Sequence, residues 1–228
     1  MKWSTFFTSS IGKKFVMALT GLFLISFLVV HVGLNACIWA NDNGSMFNRA
    51  AHFMGSTIVV RLMEVVLFIG FIIHIIQGWV VEVQNRSKRK QGYAIALGNK
   101  GSKWYSRSMG LLGTLLFLFL VMHISHFWIA SRITGNLPPV EYRGVEMHNL
   151  YARIIEVFQS PVVVILYVLG CLSLMYHLMH GFKSAFRTLG VHNYRYFSLI
   201  KATGYGFSII VSIAFAMMPI SVYLGWIK

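Results

Sequence analysis

Histidine inside a bilayer-length apolar stretch is the residue type that could do chemistry in this chain. His31 lies well within Met17–Asn35 (MALTGLFLISFLVVHVGLN). A second copy of that stretch follows 92 residues later as Met109–Phe127 (MGLLGTLLFLFLVMHISHF), with His123 at the position of His31. The copies also match at Gly21/Gly113 and Phe27/Phe119. Two further apolar stretches carry His74 and His177, each followed four residues later by a glycine, Gly78 and Gly181. A neutral imidazole in hydrocarbon is costly without a partner and marks a functional site by default. Four of them, one per stretch, suit iron. A six-coordinate b-type haem takes an imidazole on each face, commonly from different helices of a bundle. A glycine at i+4 shares the face of its histidine and leaves room there for the porphyrin.

Five spans must position these rings, each of about 20 residues or more. They are expected near residues 15–40, 58–83, 108–131, 154–182 and 203–223, so the chain reads as one transmembrane domain over 1–228. The fold class expected is all-α: an integral membrane five-helix bundle enclosing two stacked b haems. The N-terminal MKWSTFFTSSIGKK reads as an amphipathic lead-in along the interface. Lys and Arg divide 14 to six between the two sets of loops. The positive-inside rule then puts the N-terminus in the cytoplasm and the C-terminus outside. His31 follows Lys14 by 17 residues and His123 follows Arg107 by 16, while His74 precedes Arg86 by 12 and His177 precedes Lys183 by six. At 1.5 Å per residue this sorts the rings into an outer pair, His31 with His123, and an inner pair, His74 with His177.

Composition excludes other classes. The chain is 57% hydrophobic and 11% charged, with mean hydropathy +0.66, against about 25% charged in soluble domains. The net charge of +14 sits in short runs between apolar spans, which suits topology and lipid headgroups rather than nucleic acid. The longest run, RSKRKQGYAIALGNKGSKWYSR, could also dock a soluble partner. Cys37 and Cys171 form no Cys-x-x-Cys motif, so covalent haem attachment and a zinc knuckle are unsupported.

The remaining polar residues have narrower roles. His126 and His180 stand three residues after His123 and His177. An H-x-x-H chelate lacks a third ligand cluster, so both read as hydrogen-bond donors near a propionate or a quinone. Arg132, Lys183 and Arg187 follow the ligand helices at the ends where propionates would lie. Arg61 with Glu64 and Arg153 with Glu156 each form R-x-x-E, an i,i+3 ion pair at a helix end. Glu64, deeper in its span, is also the candidate proton acceptor for a quinol near the outer haem. His52, His148 and His192 read as solvated loop residues.

His31-x-x-x-Asn35, R-x-x-E before His74-x-x-x-Gly78, the HISHFW end of span three and HLMHGFKSAFRTLG in span four resemble one family. It is the single-chain, five-helix, di-haem cytochrome b (b558-type) subunit of succinate dehydrogenases and fumarate reductases, in its Bacteroidetes-like version. The resemblance implies two haem b, held by His31, His74, His123 and His177, and menaquinone as the quinone. It implies a FAD-bearing flavoprotein and an iron–sulfur subunit as cytoplasmic partners in a bacterial cytoplasmic membrane. Succinate chemistry would reside on those partners, since this chain has no dinucleotide fingerprint and no iron–sulfur cysteines. Where some members carry a glutamate two residues before the fourth ligand, proposed for proton movement, this chain has Met175. Two other classes fit less well: the cytochrome b subunit of a hydrogenase or formate dehydrogenase, and a non-redox ion or proton transporter.

Overall fold

The computed structural model describes residues 9–87, 104–191 and 193–227. Residues 1–8 of the N-terminal lead-in, residues 88–103 of the cationic loop, and His192 lie outside them. Among the described residues, five helices are long and apolar enough to cross a membrane. They are α1 (Ser10–Asn35), extended by a 3-10 turn over Ala36–Ala40, α3 (Ile58–Ser87), α5 (Met109–His123), α7 (Pro161–Thr188) and α8 (Tyr194–Tyr223). Shorter helices join them: α2 (Ser45–Ser56), α4 (Trp104–Arg107) and α6 (Leu150–Val157). The all-α expectation needs one amendment. Pro139–Tyr142 (β1) and Val145–His148 (β2) form an antiparallel hairpin, with Glu141 opposite Glu146.

Local chemistry sets the helix ends. Ser9 caps α1, its hydroxyl accepting the Gly12 N–H at 3.0 Å. The fourth span starts at Pro161, not near Ile154. Ser160 is extended and Pro161 takes the first helical turn, where proline has no N–H to waste. Ile154–Val157 belong instead to α6, which Asn149 caps by accepting the Ala152 N–H at 2.9 Å. α5 does not stop after His123. It continues as a π-helix over Ile124–Thr134, a widened i→i+5 turn frequent at functional sites.

α1 packs on α3 and α7, α5 on α7 and α3, and α8 lies along α7. The outward faces are apolar: on α3, Ile58, Leu62, Val65, Ile69, Ile72 and Trp79 are all exposed. Such a face on a water-soluble domain would be an aggregation site; on a membrane span it meets lipid.

A cluster of buried apolar side chains caps one end of the bundle, called here the hairpin end. Ile38, Phe47, Tyr151, Ile154, Phe158, Tyr167, Met218 and Val222 form its core. Gly44, at φ +77°, begins α2 there, and any Cβ would overlap the Tyr151 ring. Asn48 is wholly buried. Its amide donates to Asn149 Oδ1 at 3.0 Å and accepts the Tyr151 N–H at 2.9 Å, tying α2 to α6. Asn48→Leu strands that buried N–H, at a cost of about 1–3 kcal/mol. Thermal unfolding of the solubilised protein should shift down by several degrees, whereas Met46→Ala, on the exposed side of α2, should leave it in place.

Candidate functional site

The four intramembrane histidines meet in two facing pairs. The His31 and His123 rings lie 5.8 Å apart between centroids, at 88°. His74 and His177 lie 6.3 Å apart, at 67°. Thr20, which touches His74, and His31 are eleven residues apart on α1, so the two pairs are separated by roughly 16 Å along the axis. That is about half of a 30 Å hydrocarbon core.

The matched repeat also builds the seat of each ring. Phe27 stacks on His31 at 5.0 Å and 21°, and Phe119 stacks on His123 at 5.7 Å and 22°. Both are F-x-x-x-H, one helical turn apart, and that spacing was legible in the sequence. A Cβ on Gly21 would lie 3.5 Å from His74 Cε1, an ordinary contact, so this glycine stands directly beside the imidazole. Gly113 and Gly181 have nothing within 4 Å of such a Cβ, and Gly78 has only the Met17 methyl at 3.8 Å.

All four histidines and these four glycines border one cavity of ≈ 3090 Å³ running through the bundle. Small-molecule pockets measure about 300–1,000 Å³, so this space accommodates more than one large apolar group.

Hydrogen bonding decides which ring nitrogen is free on one of the rings. The Thr20 hydroxyl lies 2.8 Å from the Val16 carbonyl, to which it donates, and 3.1 Å from His74 Nδ1. With its one proton committed, Thr20 accepts from Nδ1–H. His74 therefore keeps the lone pair of Nε2 for a ligand, the tautomer typical of metal-bound histidine. Asn35 donates to the His31 carbonyl at 2.8 Å and touches His31 Nδ1 at 3.3 Å. His123 Nδ1 and His177 Nδ1 are buried without a hydrogen-bond partner.

These residues fit a bis-imidazole metal centre. Two metal–nitrogen bonds of about 2 Å plus a ring radius of about 1 Å on each side give about 6 Å between ring centres, as both pairs show. Among the described residues, no group of three or more His, Cys, Asp or Glu converges on a metal-sized site. The donor set therefore suits a macrocycle that brings its own equatorial nitrogens.

The other expected site residues divide. His126 turns from the cavity: its Nδ1 lies 3.0 Å from the Tyr167 hydroxyl and its ring stacks on that tyrosine at 7°. His180 borders the cavity. Lys183 and Arg187 both lie over the Phe197 ring, at 5.6 and 5.4 Å, and of the two Arg187 borders the cavity. Glu64 does not pair with Arg61 in its own helix. It accepts from Trp128 Nε1–H and faces Arg132 at 3.5 Å. Arg153 does pair with Glu156, at 2.9 Å. His52 lies on α2 rather than in a loop; with His148, at the end of β2, it borders the hairpin end of the cavity. Thr20 and Tyr167 carry no sequence signal, and Trp128 had only its place in HISHFW without a role, because each acts on a partner in another helix.

No protein-family model matches the chain, and no solved structure does. Among curated proteins it is similar to the succinate dehydrogenase cytochrome b558 subunit of Bacillus subtilis (strain 168), with 26% identity over 172 residues, 75% of this chain and 73% of the relative. With its histidines in two facing pairs inside five apolar helices, the chain is a distant homologue of that cytochrome b558 subunit.

Proposed function

We propose that this chain is the membrane anchor of a succinate:menaquinone oxidoreductase or quinol:fumarate reductase. It holds two b haems and passes electrons between a partner iron–sulfur subunit and menaquinone. The observation that carries the reading is the pairing of four histidines at two depths along one apolar cavity. The similarity to the Bacillus protein supports the choice of complex, and with it a flavoprotein partner.

The chain's own residues bind and orient. His74 and His177 would hold one haem, His31 and His123 the other. When bound, haem supplies one-electron carriage without proton chemistry. Phe27 and Phe119 stop two of the imidazoles from turning. The apolar walls exclude water, and Arg187 and His180 stand at the cavity edge where propionates need partners. Glu64, at the hairpin end, would accept the proton of a quinol hydroxyl. By the positive-inside rule that end faces outward and the N-terminus is cytoplasmic.

The test is an absorbance spectrum with haem quantification of the purified chain, followed by identification of co-purifying subunits. Two low-spin b haems per chain with a flavoprotein and an iron–sulfur protein are expected. A hydrogenase or formate dehydrogenase partner would reassign the complex, and a haem-free chain would leave a transporter.

Thr20 gives a finer prediction. Its hydrogen bond from Nδ1–H makes His74 a stronger electron donor, which favours ferric iron. Thr20→Val keeps the shape and removes the acceptor. One haem should move to higher potential, by about 59 mV for each tenfold change in equilibrium, while the other stays. A redox titration followed at the two b-band positions reads this; equal movement of both would reject the assignment of Thr20 to a single site.

A further inference from the structure

Glu64 is gripped from α5 rather than from its own helix. Trp128 Nε1–H donates to Oε1, and Arg132 Nη2 lies 3.5 Å from Oε2. Arg132 is itself anchored, donating from Nη1 to the Gly55 carbonyl at 3.2 Å. Phe68, one turn after Glu64 on α3, meets the Trp128 ring edge-on at 4.9 Å and 63°. Both donors stand on the π-helical continuation of α5. A turn widened to i→i+5 brings residues four apart nearly into line, so Trp128 and Arg132 address one carboxylate together. Glu64, Phe68, Trp128 and Arg132 all border the cavity, as does the exposed Met63, and Val65 beside them is exposed outside its lining.

A carboxylate offers about four lone-pair sites. One contact on each oxygen fixes the plane of the group and leaves further lone pairs for a ligand. We infer that Trp128 is a positioning residue, holding Glu64 in a single orientation as the hydrogen-bond acceptor for one ring hydroxyl of an aromatic diol reaching the cavity from the bilayer. The inference rests on the quinol-site reading of Glu64 and adds to it the residue that sets its selectivity for a hydroxylated ring. A site built to hydrogen-bond a hydroxyl discriminates strongly against an analogue that lacks it.

The experiment uses the haem-loaded complex in nanodiscs under anaerobic, reducing conditions. Equilibrium binding is measured for 2,3-dimethyl-1,4-naphthohydroquinone and for its dimethyl ether. The wild type should prefer the diol by about 10- to 100-fold, the value of one hydrogen bond to a charged acceptor. Glu64→Gln should abolish the preference. Trp128→Phe, which keeps a ring against Phe68 but loses the N–H, should lower it at least fivefold while ether binding changes less than twofold. In the Glu64→Gln background, Trp128→Phe should add nothing. Phe68→Leu, which loosens the indole from its other side, should lower the preference partially and serves if Trp128→Phe does not assemble.

Haem content and spectra are recorded throughout. An unchanged preference in both Trp128→Phe and Phe68→Leu, with Glu64→Gln impaired, overturns the role of Trp128 alone. A full preference in Glu64→Gln overturns that role together with the quinol-site reading.

Discussion

On the proposed di-haem reading, His177→Ala should leave the purified chain with one of its two haems, and His180→Ala should leave both. Each facing pair supplies one imidazole from either side of the cavity. His177 meets His74 at 6.3 Å, and its loss leaves one axial donor without an opponent. His180 stands three residues further along α7 and borders the same cavity, but its ring is not paired with His74. The i+3 step carries His180 about 4.5 Å along the helix axis from His177, away from the level at which His74 stands, so His180 does not take the vacated place. Pyridine haemochrome counting decides between the two positions, and the reverse outcome would falsify the ligand assignment.

The second large effect separates two glycines of α7 that look alike in sequence. A Cβ on Gly170 would run into the Phe119 ring, the ring that stacks on His123. Gly170→Val therefore pushes α5 from α7 and turns His123 from His31. Overpacking of this kind costs about 1–3 kcal/mol. The variant should unfold at lower temperature and lose the haem of the His31–His123 pair. Gly181 is different: nothing of the protein lies within 4 Å of a Cβ there. Gly181→Leu should leave the thermal stability of the haem-free chain nearly unchanged. Its side chain reaches into space bordered by His177, so haem at the His74–His177 pair should fall. Equal loss of stability in the two variants would show that Gly181 faces protein rather than cofactor.

The spans, the one-dimensional order of the histidines and their sorting by depth were legible in the amino-acid sequence, and the physical reason is simple. Hydrocarbon imposes a length on each apolar run, and the loop charges give the runs alternate directions. Distance from a charged helix end then becomes depth. The register of His31 with His123 followed from the repeat, which also placed Phe27 and Phe119 under the rings. Even the break before the fourth span had a local sign in Pro161. It was hidden by Ile154–Val157, an apolar run that belongs to α6 and packs in the hairpin-end core.

Only the tertiary structure decided which polar atoms meet. Arg61 and Glu64 have the i,i+3 spacing of an ion pair, yet Glu64 turns to Trp128 and Arg132. The π-helical register of α5 brings those donors to it, and hydropathy has no signal for a change from i→i+4 to i→i+5. His126 shares the H-x-x-H motif with a cavity-lining ring, but stacks on Tyr167 of α7. Thr20 selects the free nitrogen of His74 across two helices. Periodicity reports which face of a helix is buried. It does not report the rotation of one helix against the next, and that rotation chooses hydrogen-bond partners.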